Sequence, residues 1–525
     1  MRLRKAATVL LFTLVGCPSP QIIPKRTDLG TQPPWFPTER CQTVTPSDRT
    51  TCYKDWTVLI YMAADNDLFP YAQLNLYEME AQESGGGGRS ASTERSDVVV
   101  QLDAPGPGGL RRMHMLPVGA TYDEALTLEE LGRRPDIGLK SPLVAKLPEG
   151  TRPQADLESF LDWGVRSYPA EHYMIVAWGH GQGWAAAPRK TAETVQPGPP
   201  LPGTATPSPA ADPFAGRFRG GVLFDWSPPG FVDMPALHAA LQQVKKTLGR
   251  PVDVYVADAC LMQTIEVATE LQDAARFIVS SAYLQDFVGL PYRALLAQLN
   301  GAGEAGPDPA QRVAALLPAL YEESLDPKEN RLRGQLTAEL RKRFTLSTVS
   351  TELLGRELLP ALAELGTALF DYLTEDPLRV GDLHYIFREQ TGLYGSIQDL
   401  GAFVGALQRQ LAQRIRQGAA AGPVSERLQQ AAVRTQAALT AAIIAYRFGT
   451  DYKTDGQQSL GLRSLGVWLP VSASDFRTRI ADYKTAALYS YPHDGGADPA
   501  APAADSPPAP AGPWQRFISV LYPSP

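Results

Sequence analysis

Cysteine is scarce: four occur among 525 residues, too few for a disulfide scaffold, so each has to be explained singly. Excess positive charge is absent too. Against 49 Lys and Arg stand 56 Asp and Glu, a net charge of -7, which argues against a nucleic-acid partner recognised by a basic patch or stripe. Apolar residues at 44% and charged residues at 20% are ordinary globular composition. That balance excludes a wholly disordered chain and a polytopic membrane protein. Several catalytic signatures are missing from the chain: G-x-x-x-x-G-K-[ST], H-E-x-x-H, paired C-x-x-C and G-x-S-x-G. Nucleotide hydrolysis, zinc proteolysis and serine-hydrolase chemistry lose their usual motifs. No internal repeat recurs at a fixed period.

Gly and Pro, at 45 and 46, exceed the usual combined share of roughly 12%, and the surplus is local. Residues 18–54 carry seven of these prolines, at 18, 20, 24, 33, 34, 37 and 46, and read as a tether. Three later segments read as insertions: Ser84 to Arg95, Pro188 to Pro213 and Gly495 to Pro513. Before the tether, Arg2, Arg4 and Lys5 precede the apolar run Ala6 to Val15, then Gly16-Cys17. A basic start and a short apolar stretch fit an export signal, too short to span a bilayer. The ending Leu14-Val15-Gly16-Cys17 resembles the lipobox of bacterial lipoproteins, whose cysteine is acylated; the alternative is an ordinary signal peptide with an incidental cysteine. The expectation is a signal over 1–17 and an exported protein lipid-anchored through Cys17 to the cell envelope. Pro18 is not the Asp that would hold it at an inner membrane, so the outer membrane is favoured, facing the periplasm or the surface. Acyl chains contribute about 0.8 kcal/mol per buried methylene, so several together anchor a soluble domain firmly. Cys41 and Cys52 are expected to form a disulfide outside the cytoplasm. Cys260 is left over.

From Asp55 onward, short apolar runs alternate with helical patterns. Thr57 to Met62, Val98 to Leu102, Tyr173 to Trp178, Val252 to Ala257 and Phe277 to Ser281 are candidate strands. Near-continuous apolar strands separated by helices indicate a parallel sheet covered on both faces. Ala155 to Ser167 and Met262 to Ala274 have apolar residues at helical spacing. After about residue 300 the helical stretches lengthen, at Gln311 to Leu325, Leu353 to Leu373, Leu400 to Ile415 and Leu428 to Tyr446. Ser464 to Pro470 reads as one late strand, and the basic run Arg331 to Arg343 as a solvated face.

Two strand ends hold reactive residue types. Trp178-Gly179-His180-Gly181-Gln182-Gly183-Trp184 closes the third run, and Asp258-Ala259-Cys260-Leu261-Met262 closes the fourth. In open α/β sheets ligands bind at the carboxyl ends of the strands. Glycines beside His180 permit a tight turn. Cys260 precedes the expected helix over Met262 to Ala274, whose dipole would favour a thiolate. A nearby imidazole would add to that effect and could protonate a leaving amine. The bland reading makes Cys260 a small buried hydrophobe and His180 a satisfied polar group. An unpaired cysteine in an exported protein tilts the balance toward a reactive thiol. Asp65 and Asp67, after the first strand, suit a turn or helix cap better than a cation site.

These residues resemble the clostripain family, in the caspase, gingipain and clostripain clan of cysteine peptidases. The similarity is carried by Trp56 to Leu68, by His180 to Trp184, by Asp258 to Met262, and by Ile265-Glu266-Val267-Ala268 with Glu270-Leu271; weaker likeness covers Gly395 to Phe403 and Trp514 to Leu521. The resemblance implies a caspase-like, mostly parallel sheet flanked by helices over 55–300, with a helix-rich region over 301–525. It implies an endopeptidase acting on proteins or peptides, cleaving chiefly after Arg and in some members after Lys. His180 would be the general acid and base and Cys260 the nucleophile. Backbone N–H groups of Gly181 and Cys260 would form the oxyanion hole, and Asp258 would lie by the pocket for the basic side chain. Some members are cut between the His and the Cys, which makes Arg189-Lys190 a candidate self-cleavage site. Some depend on calcium, the one cofactor the resemblance brings in. The chain departs from the family's pattern over residues 282–292, where Asp286 is the candidate substitute for the expected acidic residues. That departure keeps a second expectation open: a catalytically inactive relative binding peptides or envelope partners.

Overall fold

The computed structural model describes residues 41–44, 49–82, 90–106, 110–119, 139–148, 153–184, 220–301, 308–326, 340–389, 392–418, 422–452, 461–484, 486–491 and 511–522. The expected signal and lipid site at Cys17, the Arg189-Lys190 pair and most of the Pro-rich insertions lie outside the described residues.

The first part of the chain gives β1 (Cys41–Val44), β2 (Arg49–Cys52), β3 (Lys54–Ala63), α1 (Phe69–Glu80), β4 (Ser96–Asp103), β5 (Leu110–His114), β6 (Leu143–Leu147), α2 (Pro153–Ser167) and β7 (Ala170–Trp178). Next come β8 (Val222–Trp226), β9 (Pro229–Val232), α3 (Met234–Leu248), β10 (Val252–Asp258), α4 (Ile265–Glu270), β11 (Ala275–Ser280), α5 (Tyr292–Asn300) and α6 (Pro309–Ser324). The remainder holds β12 (Thr345–Ser350), α7 (Leu359–Glu375), α8 (Val380–Glu389), β13 (Gly392–Tyr394), β14 (Ile397–Asp399), α9 (Leu400–Arg416) and α10 (Pro423–Ala442). It ends with β15 (Ile443–Phe448), β16 (Gly466–Trp468), α11 (Ala473–Tyr483) and α12 (Pro513–Leu521).

Nine strands form the central sheet, in the order β15-β12-β11-β10-β7-β3-β4-β5-β6. The five middle strands, β11 to β4, run parallel. Antiparallel pairs extend both edges. The parallel strands are buried on both faces because alternate side chains serve two different cores. Leu59, Tyr61, Ile175, Ala177 and Tyr255 pack with Phe160 and Leu161 of α2 and Leu237 and Leu241 of α3. Val58, Ile60, Val176, Val254 and Val256 pack instead with Leu74 of α1, Leu296 of α5 and Leu317 of α6. This is the α/β, mostly parallel sheet flanked by helices that the strand pattern indicated.

Several elements differ from the sequence reading, each for a local reason. The helix expected over Met262 to Ala274 is only α4, six residues long. Leu261 takes a positive φ of 63°, and Thr264 caps the helix by accepting from the Val267 N–H. The helix expected over Leu428 to Tyr446 ends at Ala442. There the β-branched Ile443 and Ile444 turn into β15, which pairs with β12 at the sheet edge. Two of the nine sheet strands, β12 and β15, thus come from beyond residue 300, so the sheet runs on past that position. Ordered structure also begins before Asp55. Lys54 is buried and donates to the Thr93 and Ser96 carbonyls and to Asp97, at 2.5, 2.8 and 2.8 Å. Part of the Gly-rich loop is likewise fixed, since the Ala91 carbonyl accepts from Asn300 Nδ2 at 2.9 Å. The strands β5 and β6 escaped notice because Arg111, Arg112 and Lys146 interrupt their apolar patterns.

Candidate active site

Strands β7 and β10 are neighbours in parallel register, with Trp178 opposite Asp258. The loops that leave their carboxyl ends therefore start side by side. Gly179 donates its N–H to the Asp258 carbonyl at 3.2 Å and has a φ of 151°. A Cβ on Gly181 would lie 2.5 Å from the Cys260 carbonyl oxygen and 2.8 Å from the Ala259 Cβ. Only glycine lets the His180 loop sit so closely on the Cys260 turn. Beyond it, Gln182 N–H donates to the Gly221 carbonyl at 2.9 Å, and Leu223 N–H to the His180 carbonyl at 3.0 Å. In such an antiparallel pairing the Gly181 N–H points away from β8.

His180 is oriented from a third loop. Its Nε2 lies 2.6 Å from Asp67 Oδ1. An ionised carboxylate only accepts, so Nε2 carries the proton and Nδ1 is the nitrogen left to exchange one. Asn66 sets the turn that delivers Asp67: its side chain donates to the Ala63 and Phe224 carbonyls at 3.0 and 2.8 Å and accepts from the Leu68 N–H at 2.9 Å. Asp65 points elsewhere. Burial, and then the neighbouring Asp225 carboxylate, push its pKa up to about 6. Among the described residues no group of three or more His, Cys, Asp and Glu side chains is arranged to hold a metal ion.

Cys260 is partly exposed and not in a disulfide. Its Sγ accepts the Gln285 N–H at 3.2 Å, and a backbone donor aimed at sulfur stabilises negative charge there. The adjacent Asp258 is buried. Its Oδ1 accepts from the Gln285 side-chain amide. Its Oδ2 accepts from the Leu290 N–H and the Tyr292 hydroxyl, both at 2.9 Å. The whole 285–292 loop is thereby fastened to the strand end that bears the cysteine. Asn75 of α1 completes the tie, accepting from Trp178 Nε1 at 2.8 Å and donating to the Val288 carbonyl at 2.9 Å.

The model described as the clostripain family matches residues 60–195 and 221–337, which takes in both strand-end motifs and the turn holding Asp67. Over those residues the chain matches the clostripain family of cysteine proteases. An inactive zymogen C11 protease from Parabacteroides distasonis is 15% identical, with a TM-score of 0.50, covering 85% of this chain and 99% of its own. A secreted C11 cysteine protease from Bacteroides thetaiotaomicron, solved with an irreversible peptide inhibitor, is 16% identical, with a TM-score of 0.49 and coverage of 83% and 99%. Curated proteins yield no match.

Four of the residues expected at the site come together. His180, Gly181, Asp258 and Cys260 meet at the ends of β7 and β10. Asp286 is buried; its Oδ1 accepts the Val288 N–H at 3.3 Å, and its charge, with that of Asp67, adds to the burial that raises the pKa of Tyr71 to about 12. The helix expected to place its dipole on Cys260 stands off from the sulfur. The shortened α4 starts at Ile265, with the turn of Leu261 to Thr264 between it and the sulfur, so the Gln285 N–H supplies the positive end instead. Cys41 stands opposite Cys52 in the β1–β2 register. Sequence reasoning missed Asp67 as the partner of His180, because the two lie together only through the pairing of β3 with β7, which sets the residues after β3 beside those after β7. Gln285 carried no signal beyond its place in the segment that departs from the family's pattern.

Proposed function

We propose that the protein is an exported cysteine endopeptidase cleaving after Arg, and after Lys in second place, with Cys260 as nucleophile and His180 as acid and base. The observation that carries this reading is the packing of the His180 loop on the Cys260 turn, with His180 Nε2 held by Asp67. Cys260 Sγ attacks the scissile carbonyl; His180 takes the thiol proton at Nδ1 and returns it to the leaving amine. The thioester is then hydrolysed by water that His180 activates. The Gly181 and Cys260 N–H groups serve as oxyanion donors, each worth about 10²–10³ in rate for such sites. Export, a lipid anchor at Cys17, a Cys41–Cys52 disulfide and self-cleavage at Arg189-Lys190 belong to the same proposal. The β1–β2 register supports the disulfide.

One observation favours a second reading, a relative that binds peptides without turnover. Asp258 is engaged by the chain's own loop, and Gln285 lies against the sulfur. Purified protein lacking residues 1–17, given a peptide library with and without calcium, separates the two. Cleavage after basic residues that disappears in Cys260→Ala supports the peptidase. A folded sample that retains peptides without cutting any supports the second reading and sinks the first.

A further inference from the structure

Gln285 touches both ends of the site. Its backbone N–H meets Cys260 Sγ at 3.2 Å, and its side-chain amide meets Asp258 Oδ1. Because a carboxylate only accepts, chemistry fixes the amide's orientation: the NH2 faces Asp258 and Oε1 faces away. Oε1 is buried, in a residue 7% exposed, with no donor among the described residues. An orphan acceptor within one side chain of a nucleophile asks for an explanation. Asp258 cannot itself be the contact for a ligand in this arrangement, since three protein donors hold its carboxylate and it is 5% exposed.

We infer that Gln285 Oε1 is the acceptor that reads the substrate side chain preceding the scissile bond, with Asp258 as a positioning residue behind it. The inference rests on the endopeptidase reading above. The bond to Asp258 polarises the amide and strengthens Oε1 as an acceptor. The side chain it takes carries N–H donors on a long apolar stem, the guanidinium of Arg first and the ammonium of Lys next. An uncharged ureido side chain, as in citrulline, offers similar donors and is accepted as well. An unbranched apolar side chain without donors, as in norleucine, leaves Oε1 unmet and is rejected.

The test is kcat/KM of the protein lacking residues 1–17 on four peptides differing only at that position: Arg, Lys, citrulline and norleucine. The expected order places citrulline within about tenfold of Arg, and norleucine at least a hundredfold below both. Gln285→Met, similar in length but a far weaker acceptor, lowers Arg and citrulline cleavage by about 10–100-fold. A native far-UV circular dichroism spectrum and continued alkylation of Cys260 by iodoacetamide show that the fold and the thiol survive the change. Unchanged preferences in Gln285→Met overturn the inference, as does citrulline rejected as strongly as norleucine in the parent; either result leaves the peptidase reading standing. If the parent cleaves none of the four and Cys260 stays unmodified by an Arg-directed electrophile, the peptidase reading falls and takes this inference with it.

Discussion

Glu266 ties the central-sheet half of the fold to its C-terminal region, and its removal has a calculable signature. The residue sits on α4, 1% exposed. Its Oε1 accepts the Trp468 N–H of β16 at 2.9 Å, while its Oε2 is buried without a partner among the described residues. Burial pushes its pKa from 4.5 up to about 7. The unfolded chain releases this proton near pH 4.5, whereas the folded protein keeps it to about pH 7. The stability this group contributes is therefore full below about pH 4.5 and is lost as the pH rises through 7. A shift of that size, at about 1.4 kcal/mol per unit, amounts to roughly 3 kcal/mol. Glu266→Gln keeps an acceptor for Trp468 but cannot titrate. Urea unfolding of wild type and variant at pH 5 and pH 8 isolates the effect, because other carboxylates cancel in the difference. Wild type is expected to lose about 2–3 kcal/mol more than the variant across that window. A difference constant to within about 0.5 kcal/mol would show that Glu266 titrates as it does in water, and would refute the dry contact between α4 and β16.

Two further substitutions probe the site. Asp67→Asn removes the carboxylate that holds His180 Nε2 and admits the wrong tautomer; kcat should fall roughly 10²–10⁴-fold with KM little changed, and an unaltered kcat would dismiss Asp67 as a positioning residue. Gly181→Ala drives a methyl into the Cys260 carbonyl oxygen, 2.5 Å from the ideal Cβ position. It should lower kcat/KM by about a hundredfold while far-UV circular dichroism stays native; full activity would mean that the two loops are not locked together.

Much of the architecture was legible because the five middle strands bury both faces, which leaves continuous apolar runs such as Val58 to Met62 and Val254 to Ala257. The edge strands were harder. Residues Leu110–His114 form β5 with two arginines in sequence, one of which, Arg112, is buried by bonding Gln101 at 2.8 Å. Such a pairing exists only after folding and leaves no trace in a linear pattern. The same holds at the site. His180 and Cys260 stood out because glycines and strand ends flank them, but Asp67 and Gln285 act through contacts 113 and 25 residues away in sequence. Short-range rules also overextended α4, since the positive φ of Leu261 lies in a turn that apolar spacing does not reveal.

The most decisive measurement is mass mapping of the protein lacking residues 1–17 after exposure to a peptidyl electrophile bearing Arg next to its reactive carbon. The expected result is a single thioether adduct on Cys260, absent from Cys260→Ala and formed much more slowly in His180→Ala. An unmodified Cys260 in folded protein, or labelling whose rate ignores both the Arg side chain and His180, would contradict the assignment of Cys260 as the nucleophile.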